Sequence, residues 1–170
     1  FRRVLFRSFE KIKERFNANI SELFIGKISE NQFWEKIMEG KKINPKIISQ
    51  TFKKRSTLNN KVLNLARSMK KHGFDIGILS NITPETRRVL SKQWIEEFDH
   101  VFFSDEIKLA KPDPEIFSCV KNKLSGHQII FIDDKQENVD AAKRHGIQSI
   151  LFEEYHALRK DLTKRILVAL

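Results

Sequence analysis

The second half of the sequence alternates between short apolar segments and segments with helical periodicity. From residue 74 onward, four apolar runs are separated by stretches long enough to form a helix. The runs cover residues 74–80, 100–104, 128–133 and 148–152. Strands that alternate with helices form βαβ units, which build a mostly parallel sheet with helices on both faces. We therefore predict an α/β fold for this part of the chain.

The residues before position 74 carry helical patterns only. Apolar side chains recur every three or four residues from Phe9 and again after Ser29, and a third helical segment begins at Pro45. A fourth helix is predicted from Asn59 to Lys71, followed by a glycine that ends it. These patterns predict an all-helical region ahead of the sheet.

The first eight residues, Phe1–Ser8, fit poorly with the rest of the chain. They contain three arginines and no initiator methionine, and no apolar region of the kind found in a signal peptide comes after them. The segment resembles translated sequencing-adapter sequence. We expect residues 1–8 to be a non-native leader and the native N-terminus to be missing.

A net charge of +10 first suggests nucleic acid as a partner. The excess is confined to one part of the chain, because residues 1–71 hold 18 Lys+Arg and 6 Asp+Glu, whereas residues 72–170 hold 14 and 16. Basic runs of this kind most often form the solvated face of a helix, and the aromatic residues are not interleaved with them as in single-strand binders. Nucleic acid is therefore a minor alternative to an anionic small substrate.

The composition excludes several other classes of protein. Apolar runs reach only about five residues, far short of the roughly 20 that a membrane span requires. A single cysteine, Cys119, excludes an internal disulfide framework. With 40% hydrophobic and 32% charged residues, the chain is of the globular type. We expect a cytoplasmic protein with no membrane partner.

Polar residues that could carry chemistry follow three of the predicted strands. Ser80-Asn81 follows the first strand, Lys111 lies beyond the second, and Asp133-Asp134 ends the third. These positions matter because ligands of open α/β sheets bind beyond the carboxyl ends of the strands.

Each of these positions also has a purely structural interpretation. Ser80-Asn81 could hold a phosphate oxygen near a helix N-terminus or form an ordinary turn. Lys111 could neutralise phosphate charge or be a surface lysine. The paired carboxylates could bind Mg²⁺, which prefers oxygen ligands, or Asp134 could cap the next helix.

Taken together and in this order, the three segments resemble the haloacid dehalogenase (HAD) superfamily of hydrolases. The matching segments are Ile78–Asn81, Lys111–Phe117, Phe131–Asp134 and Asn138–Ala142. The resemblance runs from about Asn59 to Phe152, and the stretch Ile20–Gly40 is similar to the helical cap of the phosphatase branch. It implies a Rossmann-like core in residues 59–170 and a small all-helical cap in residues 9–58.

The resemblance implies a hydrolase of small phosphate esters, such as sugar phosphates. In the family, an aspartate attacks phosphorus and forms a covalent intermediate. Ser80 would then bind a phosphoryl oxygen, and Asn81 would shape the phosphate-binding loop. Lys111 would bind both the phosphate and the nucleophile.

The same resemblance implies Mg²⁺ as the cofactor. Asp134 would be the inner-shell ligand, with Asp133 acting through water or alongside it. Asn138 would support the metal site. In the family, the metal offsets negative charge as two anions approach each other.

The chain departs from the family pattern at the nucleophile. The first family motif, an apolar strand ending in Asp-x-Asp, is absent, and no aspartate precedes Asp75. If Val4–Phe6 took the place of that strand, Arg7 would stand near the nucleophile's position, and a guanidinium is not a usable nucleophile. We therefore expect the chain as given to be inactive, even where a longer parent is an active phosphatase.

The missing strand also has a structural consequence. In the family it lies between the strands of the second and fourth motifs, so its loss would leave two interior strand edges unpaired. We expect either a marginally stable chain or the insertion of Val4–Arg7 into the gap. The functional alternatives are a non-catalytic pseudoenzyme, a module that binds an anionic ligand or nucleic acid, and, within the family, a carbon–halogen hydrolase.

Overall fold

The structure is a computed structural model that describes residues 2–39, 59–88 and 95–169. Its helices are α1 (Arg2–Phe24), α2 (Glu30–Ile37), α3 (Asn60–Lys71), α4 (Pro84–Arg88), α5 (Ser104–Ile107), α6 (Pro114–Lys123), α7 (Gln136–Arg144) and α8 (Tyr155–Ala169). Its strands are β1 (Gly77–Ser80), β2 (His100–Phe103), β3 (Ile130–Asp133) and β4 (Gln148–Leu151). The predicted α/β class and the alternation of strands and helices are confirmed. Among the described residues, no helix combines the length and the apolar character that a membrane crossing needs.

The described residues form two compact units. The first contains residues 2–39, 78–88, 95–97 and 101–110, and the second contains residues 59–77, 98–100 and 111–169. This division groups most of β1 and β2 with the first two helices. The boundaries of a leader, a cap and a core, as drawn from the sequence, stay predictions.

The first unit is built on the pairing of α1 with α2. Ser29 begins α2 as predicted: its hydroxyl accepts a hydrogen bond from Gln32 N, and the Gln32 side chain returns to Ser29 N at 2.9 Å. Phe33 and Ile37 of α2 are buried, and Phe16 of α1 meets the Phe33 ring edge-on at 5.3 Å. The apolar positions spaced by three and four residues therefore form the contact between the two helices.

The N-terminal residues correct one expectation. Val4–Arg7 lie within α1, which begins at Arg2, so the expectation that they insert as a strand is wrong. Their backbone groups are used inside the helix, which leaves none to pair with a strand edge. The helix predicted to begin at Pro45 lies outside the described residues.

The second unit contains a complete βαβ element. β3 and β4 pair in parallel, with Ile130 opposite Gln148 and Asp133 opposite Leu151, and α7 connects them. Behind this pair, the apolar residues of α8 pack with Ile150 and with α3. β3 thus ends with its last carboxylate at the carboxyl edge of the pair, where α/β folds bind ligands.

The four described strands form two separate sheets. β1 pairs with β2, and β3 pairs with β4, as two separate two-stranded sheets. The parallel arrangement predicted from the βαβ pattern is confirmed for β3 and β4.

Candidate active site

The centre of the candidate site in the second unit is a buried ion pair. Lys111 Nζ lies 2.6 Å from Asp133 Oδ2, and the two side chains are only 10% and 6% exposed. A charged pair at this depth is costly to desolvate and is retained where each charge has a well-placed partner. Lys111 is therefore held at the tip of β3, not on the open surface.

The second oxygen of Asp133 is also fixed. Asp133 Oδ1 accepts hydrogen bonds from Asn138 Nδ2 and from Lys135 N, both at 2.9 Å. Asn138 is 4% exposed, and its Oδ1 atom has no hydrogen-bond partner among the described residues. An unpartnered buried acceptor costs about 1–3 kcal/mol, and it marks a position where a bound water or ion can donate or coordinate. This oxygen is the clearest structural sign of a ligand at the site.

The loop that carries Lys111 is shaped by its local sequence. The Lys111–Pro112 peptide bond is cis, and Asp113 caps α6 by accepting a hydrogen bond from Glu115 N at 2.9 Å. Lys111 Nζ lies 5.3 Å from the centre of the Phe131 ring, within the range of a cation–π contact. The ammonium is therefore positioned by the carboxylate on one side and by an aromatic ring on another.

Asp134 is exposed beside this buried pair. The alternative that Asp134 caps the next helix is wrong, because Lys135 is the N-cap residue of α7 and no side chain makes the capping hydrogen bond. The backbone amide of Lys135 donates to Asp133 Oδ1 at 2.9 Å. The Asp134 carboxylate thus lies at the surface next to the ordered carboxylate of β3.

The side-chain oxygen atoms at this site suit Mg²⁺ better than a softer metal. Mg²⁺ is usually bound by one or two carboxylates together with waters and substrate phosphate oxygens. Asp133, Asp134 and the free Asn138 oxygen supply oxygen atoms only. In the part of the chain that the structure describes, no three or more His, Cys, Asp or Glu side chains converge on a common point. The site therefore fits a hard cation that keeps most of its water, not a zinc-type cage.

The other predicted phosphate ligands belong to the first unit. Ser80 ends β1 and Asn81 follows it, and both are half-buried. The next residue is anchored, since Ile82 N donates to Ser104 Oγ at 3.0 Å. Thr83 then caps α4 by accepting from Thr86 N at 3.0 Å. Pro84 is the first residue of α4, a position where the fixed backbone angle of proline suits the start of a helix.

Ser104 is the residue beside this loop that the sequence interpretation missed. It is fully buried at the end of β2, and its hydroxyl donates to Phe24 O at 2.7 Å while accepting from Ile82 N. It therefore ties the loop after β1 to the end of α1. The signal was present, because Ser104 is the polar last residue of a predicted strand.

An ion pair between a half-buried arginine and a buried aspartate lies next to this loop. Arg87 Nε lies 2.8 Å from Asp105 Oδ2, and the hydrogen bond raises the pKa of Arg87 above its ordinary value. Thr83 Oγ1 donates to Glu30 Oε1 at 2.6 Å, which joins α2 to the start of α4. These contacts hold the loop rigidly, which is the condition for a preorganised binding site.

Of the six predicted site residues, the structure joins Lys111, Asp133 and Asn138 directly, with Asp134 next in the chain. The family is shown by a comparison of sequences: the sequence model of the haloacid dehalogenase-like hydrolases matches residues 7–146. The chain belongs to the HAD-like hydrolases.

Three known proteins illustrate the similarity of this HAD-like hydrolase to its family. It is 29% identical to the bifunctional epoxide hydrolase 2 of Rattus norvegicus over 126 residues, which are 69% of this chain and 23% of that protein. It is 38% identical to the phosphorylated carbohydrates phosphatase of Thermotoga maritima over 55 residues, which are 31% of this chain and 26% of that protein. A HAD family enzyme of Bacteroides thetaiotaomicron, solved in complex with magnesium and inorganic phosphate, gives a TM-score of 0.69 at 26% identity and covers 89% of this chain and 85% of that chain.

The matches cover very different shares of the related proteins. The HAD-like chain spans only about a quarter of the length of these two curated relatives, 23% and 26%. The solved Bacteroides chain is covered much more fully, so the similarity of fold extends through most of this chain.

Proposed function

We propose that this chain forms the phosphate- and Mg²⁺-binding part of a hydrolase that acts on small phosphoric monoesters. The observation that carries the proposal is the buried Lys111–Asp133 pair, with the unpartnered oxygen of Asn138 and the exposed Asp134 beside it. The relatives support this choice, because one is named for phosphorylated carbohydrates and another was solved with magnesium and phosphate.

Each side chain has a role in the proposal. The Lys111 ammonium binds phosphoryl oxygens, since lysine is a compact point charge suited to phosphate. Asp134 would hold Mg²⁺, with Asp133 through a water or alongside it, and Asn138 orients Asp133. When bound, Mg²⁺ supplies positive charge that stabilises negative charge on the phosphoryl group.

We propose Ser80 and Asn81 as further phosphate contacts. A hydroxyl, an amide and backbone N–H groups near a helix N-terminus suit a phosphate oxygen. The anchoring of the next residue by the buried Ser104 supports this role, because a phosphate-binding loop has to be rigid. Sugar phosphates are the proposed substrate class.

The absence of a nucleophile favours a second candidate, a non-catalytic phosphate binder. No aspartate occurs in the first 74 residues, and Arg7 lies in a helix. We propose that the 170-residue chain binds phosphate esters without hydrolysing them. Carbon–halogen hydrolysis is less favoured, since it needs no metal and would leave the paired carboxylates without a role.

Calorimetry with inorganic phosphate in the presence of Mg²⁺ tests the proposal. Because a hydrogen bond to a charged group contributes about 1.5–3 kcal/mol, loss of the ammonium should weaken binding by roughly ten- to a hundredfold. The variant is the double substitution Lys111→Met with Asp133→Asn, which removes both charges of the pair together. Lys143→Met, an exposed lysine on α7, is the matched control and should bind as the wild type does.

The outcome separates the two candidates. Phosphate release from p-nitrophenyl phosphate by the same preparation should stay at the background rate. Binding without turnover supports the non-catalytic form, and Mg²⁺-dependent turnover by this chain would reject it. Equal phosphate affinity in the double variant and the wild type would overturn the role of Lys111.

A further inference from the structure

The connection between α1 and α2 lies against the proposed phosphate-binding loop within the first unit. Phe24 O, in the last residue of α1, accepts a hydrogen bond from Ser104 Oγ at 2.7 Å, and the same hydroxyl accepts from Ile82 N at 3.0 Å. At the other end of the connection, Glu30 Oε1 accepts from Thr83 Oγ1 at 2.6 Å. Both ends of the connection are therefore tied to the two residues that follow the proposed phosphate contacts.

Gly26 is the point of closest approach in this connection. Its φ is +68°, and a Cβ added to it would lie 3.1 Å from Lys108 Nζ and 3.7 Å from Pro84 Cγ. Because glycine has no side chain, the Lys108 ammonium can lie directly over the connection, next to the first residue of α4. The ammonium is thus placed beside the start of the helix that follows the phosphate-binding loop.

The backbone of Lys108 has a conformation that favours glycine. Lys108 directly follows α5 with φ 61° and ψ 25°, in the left-handed region. Helices often end in this way at a glycine, which has no Cβ to clash, whereas a lysine bears a steric cost. A residue that keeps such a conformation is a candidate for a functional role of its side chain.

The Lys108 ammonium also lacks a counter-charge, whereas two neighbouring cations have one. Arg87 Nε lies 2.8 Å from Asp105 Oδ2, and Lys27 Nζ lies 2.9 Å from Glu22 Oε1. Lys108 is exposed, and its side chain makes no hydrogen bond or ion pair with any residue that the structure describes. Its charge can therefore pair with an anion that comes from solution.

We propose that Lys108 binds a second anionic group of the substrate, either a carboxylate or a second phosphate. This inference rests on the proposed function, because it takes the first phosphate to bind at Ser80 and Asn81. A lysine ammonium is a compact point charge that suits either anion. The preferred substrates are then sugar phosphates that carry a second anionic group, and Lys108 is a specificity-determining residue.

Calorimetry in the presence of Mg²⁺ tests this with two matched pairs of esters. Fructose 1,6-bisphosphate is compared with fructose 6-phosphate, and 6-phosphogluconate with glucose 6-phosphate. The first pair differs by a second phosphate and the second pair by a carboxylate, so the comparison identifies which anion is bound. Because hydrogen bonds between charged groups are strong, the doubly anionic ester of at least one pair should bind at least about tenfold more tightly than its partner.

Variants of Lys108 separate its charge from its backbone conformation. Lys108→Met should remove the preference and leave the affinities for fructose 6-phosphate and inorganic phosphate unchanged. Lys108→Gly should do the same and also raise the melting temperature, because glycine suits the left-handed backbone. Lys108→Arg keeps a cation and should retain most of the preference. Lys13→Met removes an exposed lysine of α1 and is the matched control, in which the preference should be unchanged.

The outcomes distinguish this inference from the proposed function. Equal affinities within both pairs, with inorganic phosphate still bound, would overturn the inference and leave the proposed function intact. A preference that persists in Lys108→Met, or that is lost equally in Lys13→Met, would also overturn it, because the preference would then reflect the net charge of the chain. A wild type that binds neither inorganic phosphate nor any of the four esters would reject the proposed function, and this inference with it.

Discussion

Asp133 is the residue on which the candidate site depends. One of its oxygens holds the Lys111 ammonium at 2.6 Å, and the other holds Asn138 and a backbone amide. All of the described side-chain contacts of this carboxylate are with hydrogen-bond donors, so both of its oxygens have fixed partners in a nearly buried position. The exposed Asp134 is left as the carboxylate that an incoming cation can reach first.

Removing one charge of the Lys111–Asp133 pair should lower the stability of the fold much more than removing both charges. Lys111→Met leaves a buried carboxylate without its counter-charge and should lower the free energy of unfolding by about 3–5 kcal/mol. The double variant Lys111→Met with Asp133→Asn should recover most of that loss, because no charge is then left buried. Urea denaturation of the two variants and the wild type measures this. A double variant as unstable as the single one would contradict the argument.

The sequence predicted these residues from their type and position. Two carboxylates directly after an apolar run, and a lysine fixed by prolines, are visible in the sequence alone. The depth of Lys111 was not visible, since a single lysine is ordinarily a surface residue. Ser104 was missed for a related reason: its role is a contact with Phe24, eighty residues away in the chain.

At the level of secondary structure, several boundaries were predicted closely. The helix α3 begins one residue after its predicted start, because Asn59 caps it by accepting a hydrogen bond from Val62 N. The strands β2 and β4 begin at the residues predicted for them, whereas α1 begins at Arg2, ahead of its predicted start at Phe9. β1 is shorter than predicted, since Phe74 N bonds to Met69 O and so completes the last turn of α3. The helix α5 was not predicted, because four residues are too short to establish a period.

Asp99 joins three of these elements. Its carboxylate accepts from Lys70 of α3 at 2.7 Å and from Ile76 N, just before β1, at 3.0 Å, and it directly precedes β2. The hydrogen bond from Lys70, with that from Ile76 N, holds the pKa of Asp99 below its ordinary value of 3.8. A lowered pKa in the folded state means that the stabilisation is present above the unfolded value and is lost as the pH falls through the folded one.

Asp99→Asn should therefore lower the melting temperature near neutral pH. The difference from the wild type should shrink as the pH falls below 3.8, the ordinary pKa of an aspartate, because the wild-type carboxyl then becomes protonated as well. Melting curves of both proteins over the acidic range provide the measurement. A difference that is the same at every pH would mean that the charge of Asp99 contributes nothing.

At the scale of the whole molecule, the excess of basic residues lies before residue 72. Where the structure describes this part of the chain, most of these residues belong to α1, α2 and α3. Glu22 of α1 bonds to both Lys27 and Lys36 at 2.9 Å, and these two ammonium groups lower the pKa of Glu22 to about 2. Some of the cations are thus used within the first unit.

The separation of the strands into two pairs is what the family resemblance predicted for a chain without the first-motif strand. Among the described residues, β1 of the second motif pairs with β2, and β3 of the fourth motif pairs with β4. The alternating pattern by itself indicates which segments are strands but not which of them pair. Strand pairing depends on contacts between distant residues, which local periodicity does not report.

We propose above that Mg²⁺ and phosphate bind together at the tip of β3. The most direct measurement is the affinity for inorganic phosphate with Mg²⁺ and with chelator, in the wild type, in Asp134→Asn and in the surface control Asp161→Asn. We predict that Mg²⁺ increases the affinity of the wild type and of the control at least about tenfold, equivalent to about 1.4 kcal/mol. In Asp134→Asn this gain should disappear, although affinity in chelator should rise slightly because a repelling charge is gone. A wild-type phosphate affinity that does not change with Mg²⁺ would contradict the account. So would an increase in phosphate affinity in Asp134→Asn as large as that in the wild type.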